Sequence, residues 1–413
     1  MKSVLPLESS DMTKVDKLSS YRWFILFLAV ATYLMGFLSR FAWPPLVPVA
    51  VPALGFSMTE AGMYMTAFYL GYISTQIPGG MLGDRFGVRP VMVAALLIQA
   101  AASGGLGFIH DFHPGFLLRV LSGLSAGAVY AVCFKVMVRW FSVAQRGLAF
   151  GFLMATPSLG ITLSNTLAPL LEGLFDWRMV FKLVGAASLL VSVLVFLFMR
   201  EGPTARSDAP GSTAAADVPG FVSGLKYVLG NRNIMLLTLG GFANIWAQVG
   251  FSSWGNLYLK QELGLSLQAA GSIMTAFGLI GLVAAPLGGL LAGRSGKGRL
   301  ILAIANVATL IGILCFGDGT SGSMLLLLTL LAGLGVGCQN ALYGFVTSTY
   351  AQPKWAGITG GVTGFVYQLA GALVPLATGL AIDFGSFAAV WWILAAGPCV
   401  GLICVLLTRP ASP

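Results

Sequence analysis

Two arginines stand where a charge is costly. Arg40 lies midway along the apolar run from Trp23 to about Leu54, and Arg119 lies about one turn inside another that ends near Trp140. A guanidinium at the centre of a bilayer costs ~2.5–3.5 kcal/mol on insertion scales, so its retention calls for a partner. The chain's own acids are badly placed for that role. None of the 14 Asp and Glu residues lies deep in an apolar run, and Glu60, Asp84, Glu172 and Asp383 sit at run ends. A planar guanidinium binds a carboxylate, phosphate or sulfonate through two parallel hydrogen bonds. At helical spacing Tyr33 and Gly36 share the face of Arg40, while Gly123, Ala126 and Tyr130 share that of Arg119. This chemistry is recognition of a small anion; snorkelling or pairing with backbone carbonyls is the alternative use of each arginine.

Further along, Asn244 and Gln248 share a helix face, as do Gln339 and Tyr343, and Tyr367-Gln368 sits in the middle of an apolar run. These groups can hydrogen-bond an oxyanion or a hydroxyl, or serve as interhelical contacts. Trp43, beside Pro44-Pro45, either walls a cavity or packs. Lys135 falls on the other side of its helix from Arg119 and is expected to snorkel. The five cysteines (Cys133, Cys315, Cys338, Cys399, Cys404) lie in apolar runs with no CxxC or Cys/His cluster, which excludes a zinc or redox centre. Both histidines, His110 and His113, fall in one short loop. With no Ser/His/Asp arrangement and no phosphate-binding Gly/Lys loop, no enzyme activity, cofactor or metal is expected.

The elements that position these residues follow from composition. Of 413 residues, 57% are hydrophobic and 9% charged, and the mean hydropathy is +0.87. A soluble domain carries about 25% charged residues, so a soluble globular, disordered or nucleic-acid-binding protein is excluded. A membrane-spanning helix takes ~20 apolar residues. Such runs occur near 23–48, 60–82, 90–109, 114–140, 148–171 and 178–199, and again near 233–258, 269–292, 299–317, 323–349, 357–381 and 388–408. The expected organisation is a tail 1–22, a six-helix bundle 23–199, a linker 200–232, a second six-helix bundle 233–408 and a tail 409–413. Within the linker, residues 219–229 are read as a short interfacial helix. Seventeen of the 23 Lys and Arg residues fall in segments that this count places on one side, which puts both termini in the cytoplasm. The net charge of +9 is thereby a topology signal rather than a nucleic-acid footprint. The first 21 residues mix acids and bases without an apolar core, so no cleavable leader is expected there.

The halves repeat. Residues 54–87 and 263–296 are identical at 15 of 34 positions, including Met65-Thr66-Ala67-Phe68 against Met274-Thr275-Ala276-Phe277. Gly79-Gly80-Met81-Leu82-Gly83-Asp84-Arg85-Phe86-Gly87-Val88-Arg89 and its weaker copy Gly288-Gly289-Leu290-Leu291-Ala292-Gly293-Arg294-Ser295-Gly296 resemble the loop 2–3 signature of the major facilitator superfamily. Arg119-Val120-Leu121-Ser122-Gly123, with Trp140-Phe141 and Arg146-Gly147, resembles that superfamily's fourth-span pattern. The resemblance implies an all-α membrane protein, with twelve transmembrane helices in two pseudo-symmetric six-helix bundles that rock about a midplane site. In the signature, Gly79 and Gly83 permit close helix approach. Asp84 is placed to accept donors at the start of the eleventh span, and with Arg85 and Arg89 it would latch the cytoplasmic side.

Ser39-Arg40-Phe41-Ala42-Trp43-Pro44, followed by Leu54-Gly55-Phe56-Ser57, resembles most the anion:cation symporter branch. Those symporters often carry an acid just before the arginine and another in the fourth span, where this chain has Ser39 and Ala126. The resemblance implies a monomeric secondary transporter of a small organic anion, with a coupled proton or counter-anion, in a cell membrane such as the bacterial inner membrane. Arg40 and Arg119 would be its charge partners in one shared vestibule. An exporter of neutral or hydrophobic compounds, and a non-transporting receptor or assembly subunit with the same fold, are the alternatives.

Overall fold

The computed structural model of the chain describes residues 9–202, 221–318 and 322–409, and every regular element among them is helical. The first span is two helices, α1 (Ser9–Phe41) and α2 (Trp43–Leu54), end to end. The break has a local cause: Pro44 and Pro45 lack the N–H groups that the carbonyls of Arg40 and Phe41 would need to continue the ladder. The first half continues with α3 (Met58–Phe86), α4 (Val88–Leu106), α5 (Phe112–Trp140), α6 (Val143–Leu174) and α7 (Trp177–Phe198). A short helix, α8 (Phe221–Gly230), follows within the expected linker. The second half holds α9 (Arg232–Gln261), α10 (Leu267–Ser295), α11 (Gly298–Gly317), α12 (Gly322–Ser348), α13 (Ala356–Asp383) and α14 (Phe387–Leu407).

Eleven spans among the described residues are long and apolar enough to cross a bilayer, with α1 and α2 together forming one of 35 residues, Ser20–Leu54. The twelfth is α3. It is less apolar because it carries Glu60, Asp84, Arg85, Thr66, Thr75 and Gln76, and it is packed between α5 of its own half and α13 of the other. Each of the twelve runs expected from sequence lies on one of these helices.

Small residues let the helices close up. A Cβ on Gly123 of α5 would overlap the carbonyl of Phe68 on α3, so the two backbones touch there. The expected close approach at Gly79 and Gly83 is also to α5: a Cβ on Gly79 would overlap Ala128, and one on Gly83 would come within 3.1 Å of Val132. Without a hydrophobic drive between helices in lipid, this backbone proximity is what dispersion forces act through.

The two halves meet along α3·α13, α6·α10 and α2·α9, and at one end only. At the end holding the start of α3 and the finish of α13, Thr66 Oγ1 donates to the Ala372 carbonyl (2.6 Å) and a Cβ on Gly379 would lie 2.6 Å from the Met58 carbonyl. Across the other seam, Thr166 and Thr275 are hydrogen-bonded at 3.0 Å, and the Asn256 side-chain amide donates to Asn165 Oδ1 at 2.7 Å. The opposite end is open. A Cβ on Gly357, Gly360, Gly361 or Gly364 of α13, on Gly289 or Gly293 of α10, or on Gly147 or Gly151 of α6 would meet nothing within 4 Å. The open end carries Arg85, Arg89, Arg139, Arg146, Arg294, Lys297 and Arg299, whereas Arg178, Lys182 and Lys260 lie toward the closed one.

Candidate functional site

Arg40 is carried on the last turn of α1, immediately before the proline break, and is 6% exposed. Its guanidinium carbon lies 4.0 Å from the centroid of the Tyr69 ring, 4.7 Å from that of Phe41 and 5.8 Å from that of Phe37. Such stacking offsets part of the desolvation of the cation but offers no hydrogen bond. Its Nε is buried without a partner, and no carboxylate among the described residues pairs with it. The guanidinium borders a cavity of about 10 Å³, room for roughly one water, lined by Tyr33, Gly36, Phe37, Arg40, Phe68, Tyr72 and Ala126. Tyr130 stands just behind, with its ring 5.9 Å from that of Tyr33 and 6.4 Å from that of Tyr72. Tyr69, under the guanidinium, presses on Gly371 of α13, so Arg40 is one side chain removed from the second half.

Arg119 is placed differently from the shared vestibule that its sequence position suggests. It is fully buried, one Nη donates to the Ser39 carbonyl at 2.7 Å, and its Nε and other Nη are buried without a partner. The rings of Trp43 and Phe181 cover it at 5.5 and 5.7 Å, and it is not among the residues lining the Arg40 cavity. The geometry makes Arg119 a clamp on the α1–α2 break. Trp43 packs in the same layer and donates its indole N–H to the Ala61 carbonyl at 3.1 Å. Beside the clamp runs a chain that sequence reading missed: Gln99 donates to Ser103 (2.8 Å), Ser103 to Ser39 (2.8 Å), and Ser125 to Gln99. The signal available was polar residues one turn apart on α4, Gln99 and Ser103.

In the second half the predicted residues divide into two groups. The Asn244 side-chain amide donates to Asn340 Oδ1 at 2.7 Å, and Asn340 is exposed where the open end admits solvent. Asn244 Oδ1 and the Tyr367 hydroxyl are buried without partners, and Gln248 and Gln368 are half-buried. Gln339 and Tyr343 do share a face, but it packs on α11: Gln339 donates to Thr309 (2.8 Å) and to the Ala305 carbonyl (3.2 Å), and Tyr343 accepts from Asn306 (3.1 Å).

At the open end Asp84 pairs with Lys135 of its own half, and Lys135 also donates to the Gly80 carbonyl. Arg85 and Arg89 stack on Phe86 and Phe196, at 5.2 and 4.9 Å. At the closed end the mirror arrangement is made. Asp383, the last residue of α13, accepts from the backbone N–H groups of Met58 (2.9 Å) and Thr59 (2.7 Å) and from the Thr59 hydroxyl (2.5 Å). A carboxylate from one half thus caps the positive end of a helix from the other.

The family model described as the Major Facilitator Superfamily matches residues 25–375, with a second match over 256–413. The chain belongs to the Major Facilitator Superfamily. Among its superfamily relatives is a hexuronate transporter of Bacillus subtilis (strain 168), 26% identical over 401 residues and covering 94% of each chain. A probable sulfoacetate transporter, SauU, of Cupriavidus necator is 25% identical over 413 residues, 94% of each chain. A probable galactarate/D-glucarate transporter, GudP, of Bacillus subtilis (strain 168) is 24% identical over 411 residues, 92% of this chain and 90% of its own. The fold matches that of a bacterial homologue of the human lysosomal transporter Spinster in an inward-facing, unoccupied conformation. The TM-score is 0.73 at 19% identity, over 94% of this chain and 95% of that one. The nucleoside transporter NupG matches with a TM-score of 0.71 at 14% identity, over 93% of this chain and all of that one. These two structures speak to the superfamily fold alone.

Proposed function

We propose that the protein carries a small organic acid across the cell membrane by alternating access, with Arg40 holding the acid group. The observation that carries this reading is a nearly buried guanidinium at a cavity wall with no acidic partner among the described residues. A buried unpaired cation is costly, and an anion that binds there supplies the two hydrogen bonds it lacks. The names of the relatives, all transporters and each named for an organic acid, support the same class of cargo and an absence of enzyme activity.

Alternating access is supported by the asymmetry of the two ends. The open end holds most of the arginines, so the positive-inside rule makes it cytoplasmic, with both termini on that side, and makes this conformation inward-open. In this state Asp383 closes the outer side across the two halves while Asp84 is held within its own half by Lys135. In the outward-open state the roles reverse: the outer cap breaks, and Asp84 reaches the N-terminal turn of α13. One antiparallel helix pair, α3 and α13, thus carries an acidic cap at each end, and only one is engaged at a time. The lining of the Arg40 cavity holds no carboxylate or histidine, which favours coupling through a proton carried on the substrate or through exchange for a second anion. Arg119 acts by holding the break that orients Arg40. Asn244, Gln248, Asn340, Tyr367 and Gln368 supply hydrogen bonds to the cargo from the second half, and the carrier works as a monomer.

The test is thermal stabilisation of the purified protein in detergent by carboxylates and sulfonates, beside neutral sugars and amines. Stabilisation by acids alone, lost in Arg40→Ala, supports the assignment. Stabilisation by neutral compounds or amines, or by acids equally in Arg40→Ala, contradicts it.

A further inference from the structure

The cavity presents one positive charge, although the sequence offers two buried arginines. Arg119 is 0% exposed, gives a hydrogen bond to the Ser39 carbonyl and is covered by Trp43 and Phe181. No other cation among the described residues takes its place. Lys135 is committed to Asp84, and in the second half every Lys and Arg stands at a helix end (Arg232, Lys260, Arg294, Lys297, Arg299, Lys354 and Arg409), leaving none in a helix interior. Around Arg40 the lining is aromatic or small, with Tyr33 and Tyr72 the hydroxyl-bearing side chains and Ala126 opposite Gly36.

We infer that the site selects organic acids bearing a single negative charge and discriminates against dianions of the same skeleton. This rests on Arg40 being the anion ligand. A first carboxylate takes both Nη groups of Arg40. A second carboxylate on the same small molecule then faces rings and neutral amides, which can satisfy hydroxyls but cannot neutralise a charge. It leaves water for nothing of opposite sign, and that desolvation is uncompensated. Hydrogen bonds to charged groups are strong enough that the missing partner lowers affinity at least about tenfold. Sulfonates without a second acid group, with one charge, fit the site; phosphomonoesters, with nearly two at neutral pH, do not. The relatives leave this question open, since their names include acids of one and of two negative charges.

The experiment is calorimetric titration of the full-length protein in detergent with matched acids: galactonate and galactarate, butyrate and succinate, benzoate and phthalate. The monomethyl ester of each diacid accompanies its pair. The ester keeps the length of the diacid but carries one charge. In every pair that binds, the monoacid and the ester are expected to bind at least about tenfold tighter than the diacid. A diacid that binds as tightly as its monoacid overturns the inference. So does an ester that binds no better than its diacid, because size rather than charge would then decide. If no acid in the set binds, or if binding survives Arg40→Gln, the organic-acid reading beneath the inference fails instead.

Discussion

Asp383→Ala tests the two-ended cap on α3 and α13. The carboxylate accepts three hydrogen bonds from Met58 and Thr59 at 2.5–2.9 Å, all across the two halves. Hydrogen bonds to a charged group contribute about 1.5–3 kcal/mol each where water is excluded. Asp383 is exposed, and screened surface pairs contribute about 0–1 kcal/mol. The three together therefore favour the closed outer side by about 1–3 kcal/mol, a roughly 5–150-fold bias in the conformational equilibrium. Removing them shifts the protein toward the outward-open state by that factor. Asn256→Cys provides the readout, because Asn256 is fully buried in the closed seam, where its side chain meets Asn165 of the other half at 2.7 Å. In right-side-out vesicles a membrane-impermeant maleimide should label this cysteine at least about fivefold faster with Asp383→Ala than with Asp383. Asp383→Asn, which keeps an acceptor without the charge, should fall between. The five native cysteines, buried or half-buried, set the background in the parent lacking Asn256→Cys. Equal labelling rates in the Asp383 and Ala backgrounds would refute the cap.

The two arginines should respond unequally to truncation. Arg119→Ala leaves the Ser39 carbonyl buried and unpaired and should cost about 1–3 kcal/mol, seen as a lower melting temperature in detergent, whereas Arg40→Ala breaks ring contacts but no hydrogen bond and should lower the melting temperature less. At the open end, Lys135→Ala frees Asp84 for α13, so Gly360→Cys should be labelled more slowly from the cytoplasmic side; adding Asp84→Asn should restore the fast rate. Gly123→Val drives a side chain into the Phe68 carbonyl and should abolish monodisperse protein on size-exclusion chromatography.

The twelve spans were legible because each is a long apolar run, and the fold because the repeat keeps Gly, Thr and Arg in frame with the apolar residues. The identity of the exposed and buried faces was much less so. In a membrane protein a polar residue on a helix is equally compatible with a cavity and with a neighbouring helix, and only the rotation of that helix decides. Gln339 and Tyr343 share a face as their spacing requires, yet that face belongs to Thr309 and Asn306 of α11. Arg119 lies within reach of the break in the first span, and Pro44 and Pro45 free a neighbouring stretch of backbone whose Ser39 carbonyl it takes. Tyr69 and Tyr72, which stand under and beside Arg40, were hidden on the least apolar helix, where tyrosine carries no distinctive signal. Asp383 was noted only as an acid at a span end; its role needs the start of α3, more than 320 residues earlier, brought against it.

Uptake of a labelled organic acid into proteoliposomes, by wild-type and Arg40→Ala protein side by side, tests the central claim most directly. Wild-type protein is expected to show saturable uptake, competed by other organic acids, and Arg40→Ala none above protein-free vesicles while remaining folded and monodisperse. Equal uptake by the two proteins would contradict the claim.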